Sequence, residues 1–123
     1  MFVTEEDDTE ISASAGTSSN GGLSSGVMTN DTWYFIAGTH EGLASSADQK
    51  LYVGTASVTP VLIVTQASGV GMETSAANLY IGQRFNGGLP YNGEIDDLCF
   101  YDNNQLTLAE ITRNYNAGKR SHR

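Results

Sequence analysis

The chain has 123 residues, which is enough for one domain with a single hydrophobic core and too few for two. With 14 Gly and a hydrophobic share of 39%, the composition favours turns and short strands over long helices. The formal net charge of −8 at pH 7 would repel a phosphate backbone, and no apolar run is long enough to insert into a membrane, so neither nucleic acid nor a bilayer is an expected partner.

The N-terminal part of the chain predicts one weak and one strong strand. Residues 9–14 alternate weakly between polar and apolar, and the Ser- and Gly-rich stretch 16–26 predicts a loop or a disordered segment. Residues 31–39 combine Trp, Tyr, Phe and Ile with a closing Gly-Thr, and this is the strongest β signal in the chain. A turn is expected at 40–42.

Four more strands are expected after that turn. They are bounded by Gly, Pro and Asn, and they span residues 50–54, 61–65, 78–82 and 91–101. Short strands at this spacing indicate an antiparallel β-sandwich or barrel. The single cysteine, Cys99, excludes an intramolecular disulfide, and the alternation around it predicts a small buried hydrophobe.

The start of a helix is predicted near the C terminus. Thr107 and Glu110 have the spacing of a capping box, in which each side chain accepts from the backbone amide of the other residue. Leu106 before the cap and Ile111 after it are placed as a hydrophobic staple. A short helix over residues 108–116 follows from these signals.

The same helix has one apolar face and a basic end. Leu108, Ile111 and Tyr115 share a face that is expected to dock on the sandwich. Gly118 is expected to end the helix in the left-handed conformation, and residues 119–123 are expected to form a frayed, positively charged tail.

Several segments together resemble a known family. In order, they are WYFIAGTHEG at 33–42, LYVG at 51–54, LYIG at 79–82, YNGEIDDLCFY at 91–101 and LTLAEI at 106–111. This series resembles the second half of laminin G-like and pentraxin-like domains of the concanavalin A-like lectin/glucanase superfamily. The resemblance implies an all-β jelly-roll sandwich of antiparallel sheets with one short C-terminal α-helix.

The resemblance covers residues 31–118 and does not account for the N-terminal strands of the family fold. We expect one laminin G-like domain over residues 1–118 in which only residues 9–14 stand in for the family's early strands. Sheets that lack those strands would expose unpaired edges. We therefore expect a second copy of the chain or a partner chain to complete them.

A glycan site is expected in the Gly-rich loop and the strand after it. Exposed aromatic rings stack on sugars, and amide or charged side chains bind hydroxyl groups. The residues with these properties are Arg84, Phe85, Asn86, Tyr91 and Asn92. The alternative is that Phe85 and Tyr91 close one end of the sandwich.

A Ca²⁺ site is the only cofactor site that the sequence suggests. Glu41, Asp48 and the adjacent Asp96 and Asp97 could supply carboxylate oxygens at the rim of the sandwich. Residues 40–41 read His-Glu where the family usually has Tyr-Asp, and solvated loop carboxylates are the alternative interpretation.

A catalytic site is not expected. Glucanases of this superfamily place two carboxylates on one strand face, and Glu94 and Asp96 are the pair with that spacing. The alternative, that Asp96 serves the fold and Glu94 is solvated, is favoured. His40 and His122 lie in a predicted turn and tail, so no nucleophile triad is indicated.

The leading hypothesis is a non-catalytic recognition or adhesion module that binds a glycan or protein ligand within a larger extracellular or surface-displayed assembly. No signal peptide is recognised within the chain, so an export signal would lie outside it. A structural or decoration subunit, for example of a virion, is the second hypothesis. A glycoside hydrolase is the third.

Overall fold

The computed structural model describes residues 2–3, 10–13, 23–40, 48–67, 81–82, 90–102 and 104–122. The strands are β1 (Phe2–Val3), β2 (Glu10–Ala13), β3 (Leu23–Val27), β4 (Tyr34–His40), β5 (Asp48–Thr55), β6 (Val61–Ala67) and β7 (Ile95–Asp96). Helix α1 (Leu108–Gly118) follows, and a short 3-10 helix (Lys119–Ser121) continues from it. The described chain is thus antiparallel β structure with a C-terminal helix.

Five strands form one sheet in the order β6-β5-β4-β1-β7, and β2 and β3 form a separate pair. The β4–β5 ladder is the most regular, running antiparallel from Tyr34 opposite Thr55 to His40 opposite Gln49. A β-bulge interrupts the β5–β6 ladder between Leu51 and Tyr52. Strand β1 lies between β4 and β7, with Phe2 opposite both Phe35 and Asp96.

Strand β4 is the centre of the molecule because both of its faces are covered. Phe35 and Tyr52 are buried on one face against Ile111 and Tyr115 of α1. On the opposite face, the second buried cluster consists of Met28, Ile36 and Leu51. Met28 directly follows β3, which lies beside β5 and β6, so the two-stranded pair covers this second face. The strand predicted at residues 31–39 thus supplies side chains to two buried clusters.

The tight turn after β5 requires a glycine. A Cβ at Gly54 would lie 2.7 Å from the carbonyl oxygen of Val58 and 2.9 Å from the nitrogen of Pro60. Thr55 and Val58 exchange two backbone hydrogen bonds across this turn, at 2.9 and 3.3 Å. Close backbone approach is the ordinary reason for a glycine at such a position.

The predicted start of the helix is confirmed. The Glu110 amide donates to Thr107 Oγ1 at 3.4 Å, and the Thr107 amide donates to Glu110 Oε2 at 2.8 Å. Leu106 packs against the cluster that contains Ile111, as a hydrophobic staple should. Among the described residues, no helix has both the length and the apolar character needed to cross a bilayer.

The predicted end of the helix is wrong. Gly118 has a φ of −86° and not a left-handed conformation, so the chain continues directly into the 3-10 turn. His122, expected in a frayed tail, is only 3% exposed. Leu108, expected on the docked face, is 47% exposed, because Ile111 and Tyr115 already fill the contact with the sheet.

Three strand predictions also need correction. The stretch 16–26 was expected to be a loop, but β3 lies at Leu23–Val27, where pairing with β2 outweighs a composition unfavourable to strands. The described part of the first 30 residues therefore contains three strands, where one was expected. Within the expected strand 91–101, β7 is limited to two residues because Asp97 adopts a φ of +52° and ends it.

Cys99 lies beyond the point where β7 ends. The strand alternation on which its burial was predicted does not extend that far, and the side chain is exposed. The segment from residue 97 to 102 has exposed side chains throughout. The prediction of a buried Cys99 is therefore wrong.

Candidate functional site

A shallow cleft of about 460 Å³ lies among the residue before β4, strand β7 with the residue before it, and the residue that follows the 3-10 turn. It is lined by Trp33, Glu94, Ile95, Asp96 and His122. The positions of these residues follow from the topology. Because β1 pairs with both β4 and β7, it holds the residue just before β4 near the residues around β7.

Trp33 and His122 form one wall of the cleft. Their ring centroids lie 4.3 Å apart and the rings are tilted by 48°. Trp33 is half-buried and also packs against the cluster under α1. The 3-10 turn positions His122, whose amide donates to the Lys119 carbonyl at 3.4 Å. The wall is thus an indole supported by a buried imidazole.

Two carboxylates face the imidazole from the opposite side. The Oδ2 atoms of Asp96 and Asp97 lie 3.7 and 3.6 Å from His122 Nε2, and their side chains are 60% and 51% exposed. The Asp97 amide donates to Asp96 Oδ1 at 2.7 Å, so the Asp96 carboxylate caps the neighbouring amide. Consecutive residues of a strand would point to opposite faces. The left-handed φ of Asp97 allows both carboxylates to approach the same ring.

The structure describes two of the five predicted glycan-binding residues. Tyr91 is half-buried, packs against the cluster of Met28 and Leu51, and its amide donates to the Gly82 carbonyl at 2.7 Å. Asn92 is exposed. Neither residue lines the cleft. The other three positions, Arg84, Phe85 and Asn86, lie outside the described residues.

The predicted metal ligands are described only in part. Glu41 lies outside the described residues, and Asp48 begins β5 with no described side chain. Asp96 and Asp97 lie together, but the third residue beside them is His122. Sequence reasoning assigned His122 to a tail, and no local pattern marked it as a functional residue.

The two carboxylates considered for catalysis both line the cleft. Their spacing predicts one strand face, and in the structure Glu94 directly precedes β7 while Asp96 lies within it. Both residues are exposed.

Comparison with known proteins gives one match. A laminin G-type family model, described as the concanavalin A-like lectin/glucanases superfamily, matches residues 1–112. No curated protein and no solved structure matches the chain significantly. The matched region begins at residue 1, so it includes the strands β1 to β3 that the resemblance at residues 31–118 did not cover. Domains of this superfamily are β-sandwiches that include binding modules. The chain therefore belongs to the concanavalin A-like lectin/glucanases superfamily, as a laminin G-like domain.

Proposed function

We propose that the chain is a non-catalytic carbohydrate-recognition module, built as a jelly-roll sandwich and displayed in a larger extracellular or surface assembly. Membership of a superfamily of lectin-like binding domains supports the general class. The single observation that carries the sugar assignment is the cleft in which Trp33 lies next to Glu94 and Asp96.

The chemistry of that cleft suits a sugar. The apolar face of a pyranose stacks on an aromatic ring, while carboxylates accept hydrogen bonds from its hydroxyl groups. Trp33 is half-buried, so part of the indole is accessible, and both carboxylate residues are exposed. The volume of about 460 Å³ is within the usual range of small-ligand sites, about 300–1,000 Å³, and suits one or two sugar units.

We propose a module without catalytic activity because the two carboxylates at the cleft lack the apolar surroundings that glycosidase chemistry requires. The general acid of a glycosidase is typically held in an apolar pocket that keeps it protonated. Glu94 and Asp96 are both exposed to solvent. We expect no turnover of β-glucans by the wild-type chain. Robust hydrolysis that disappears in both Glu94→Gln and Asp96→Asn would establish the hydrolase hypothesis instead.

One observation favours the second candidate, a structural or decoration subunit. Val61, Leu62 and Ile63 of β6 are 51%, 47% and 45% exposed, and β6 ends the described sheet. An apolar edge strand of this kind suits packing against a neighbouring chain. A subunit of this type would form defined assemblies and would not bind sugars selectively.

A glycan array probed with the labelled chain separates the two candidates. We expect selective hits, and calorimetry with the best hit should show that Glu94→Gln weakens binding by about tenfold through loss of a charged acceptor. Asp102→Asn is the matched control, since Asp102 is an exposed carboxylate outside the cleft and should not affect affinity.

Trp33 provides the second variant. Trp33→Ala should abolish sugar binding, and circular dichroism is needed beside it because Trp33 also packs against the core. A well-folded Trp33→Ala chain that keeps full affinity for the sugar would show that the cleft is not the sugar-binding site. An array without selective hits would contradict sugar recognition altogether.

A further inference from the structure

We propose that Asp96, Asp97 and His122 bind one divalent transition-metal ion of the zinc class. The ligand atoms would be one carboxylate oxygen from each aspartate and Nε2 of the imidazole, which all lie within 4.8 Å of one another. This inference does not depend on sugar binding, since the ion could be held with or without a ligand in the cleft.

Two of the three separations in the group are close to the separation between two ligands of one ion. At 3.6 and 3.7 Å, the separations between His122 Nε2 and the carboxylate oxygens are too long for hydrogen bonds. Two ligand atoms bound about 2.1 Å from a tetrahedral ion lie about 3.4 Å apart. Only a small inward movement of the two exposed carboxylates would therefore complete the coordination.

His122 distinguishes this cluster from a group of surface acids. Its side chain is 2% exposed, so the imidazole is already desolvated and fixed in place before an ion arrives. Trp33 stacks against the ring at 4.3 Å and restricts its orientation. A fixed imidazole loses little conformational freedom on binding a metal, and support of the ligating ring by neighbouring groups raises affinity.

The local charge also favours a cation. Asp96 and Asp97 hold two carboxylates close together, and within the described residues no Lys or Arg forms a salt bridge with them. The chain as a whole carries a formal charge of −8. A divalent ion between the carboxylates would offset their mutual repulsion.

The donor set selects the type of metal. Ca²⁺ prefers six to eight oxygen ligands, whereas imidazole nitrogen suits Zn²⁺ and related ions. Zn²⁺ binds both carboxylate oxygen and imidazole nitrogen, and a site with three protein ligands leaves at least one coordination position open. Because the two aspartates are more than half exposed, that position would be accessible to water or to a ligand from solvent.

The test is calorimetric titration of the untagged full chain with Zn²⁺ alone. We expect one ion per chain. Asp96→Asn and Asp97→Asn should each weaken binding by at least about tenfold, since the loss of even an outer partner of a metal site has that effect. Both side chains are exposed and isosteric with their replacements, so these variants should fold. Asp102→Asn, which removes an exposed carboxylate elsewhere, should bind as the wild type does.

Two further measurements complete the test. The thermal midpoint should rise with added Zn²⁺ in the wild type and not in Asp97→Asn, because an ion that binds only the folded state stabilises it. Co²⁺ should give a visible absorption band that His122→Ala lacks. The proposal is overturned if Zn²⁺ does not bind, if Asp102→Asn loses as much affinity as the cluster variants, or if Ca²⁺ binds at least as tightly as Zn²⁺.

Discussion

At the scale of single residues, Tyr115 connects the helix to the turn after β5. Its ring is 1% exposed and lies edge-on to Phe35, with centroids 5.6 Å apart. Its hydroxyl donates to the Thr55 carbonyl at 2.8 Å and also lies 3.3 Å from the Ala56 carbonyl. One side chain thus combines core packing with a long-range hydrogen bond across 60 positions of sequence.

We expect Tyr115→Phe to lower the free energy of unfolding by about 1 kcal/mol, because the partly buried hydrogen bond to the Thr55 carbonyl is lost while the ring still fills its space. In thermal unfolding this corresponds to a decrease in midpoint of about 4 °C. Tyr101→Phe is the matched control. The Tyr101 hydroxyl accepts from Asn114 Nδ2 at 2.9 Å, but the side chain is 50% exposed. Equal losses in the two variants would contradict a special role for Tyr115.

At the scale of elements, α1 is the cover of one sheet face. Ile111 is fully buried against Phe35 and Tyr52. We expect Ile111→Ala to lower the free energy of unfolding by about 2–4 kcal/mol through lost burial and the cavity that remains. Leu108→Ala is the control on the same helix, and because Leu108 is 47% exposed its loss should stay below about 1 kcal/mol. Urea unfolding measures both, and an unchanged Ile111→Ala midpoint would show that the helix is not docked.

The capping box at the start of α1 predicts that the stability of the fold depends on pH. Hydrogen bonds from the backbone and the hydroxyl of Thr107, with Arg113 nearby, hold the pKa of the Glu110 carboxyl below its ordinary range. A depressed pKa in the folded state means that the carboxylate stabilises the fold above the pKa of the unfolded chain. This stabilisation is lost as the pH falls through the lower folded-state pKa.

Urea unfolding at a series of acidic pH values tests this direction. Glu110→Gln removes the titration, so the stability advantage of the wild type over this variant should shrink as the pH falls through and below the ordinary range of a glutamate. An advantage that is constant or grows on acidification would contradict the lowered pKa. Thr107→Ala should lower stability by about 1 kcal/mol at neutral pH through loss of the cap, and Thr107→Ser should restore most of it.

At the scale of the whole molecule, the question is which sheet edges are open. Without the family's early strands, either the Trp33 strand or the strand expected at 91–101 would expose an unpaired edge, but β4 lies inside the sheet between β5 and β1. Within the described residues, the sheet ends at β6 on one side and at the two-residue β7 on the other. Strand β6 is therefore the edge at which we expect self-association, because it is longer than β7 and its apolar side chains are exposed.

We predict that the chain associates through β6 at micromolar concentration, either with a second copy or with a partner. Sedimentation velocity should show dimers or larger species, and Leu62→Lys should shift them toward monomer. Leu108→Lys is the matched control, since both leucines are 47% exposed but Leu108 lies on the helix. A wild-type chain that sediments as a stable monomer at micromolar concentration would contradict this prediction.

The sequence by itself determined the elements whose signals are local. The aromatic and β-branched residues of β4, the shorter apolar runs of β5 and β6, and the capping box of α1 each specify their own conformation through neighbouring residues. The family was predictable for the same reason, because its closing signature is a series of such local patterns in a fixed order. The observed ends of these elements differ from the predicted ends by only a few residues.

The tertiary structure alone decided where distant segments meet. Strand β3 exists because β2 pairs with it, although its Ser- and Gly-rich sequence favours a loop. Strand β7 ends early at Asp97 and leaves Cys99 exposed, which alternation could not predict. His122 is buried beside Trp33, 89 positions away in sequence, because the 3-10 turn after α1 directs the chain back toward the sheet. Periodicity and propensity report on neighbours a few residues apart, whereas a cleft forms from long-range contacts.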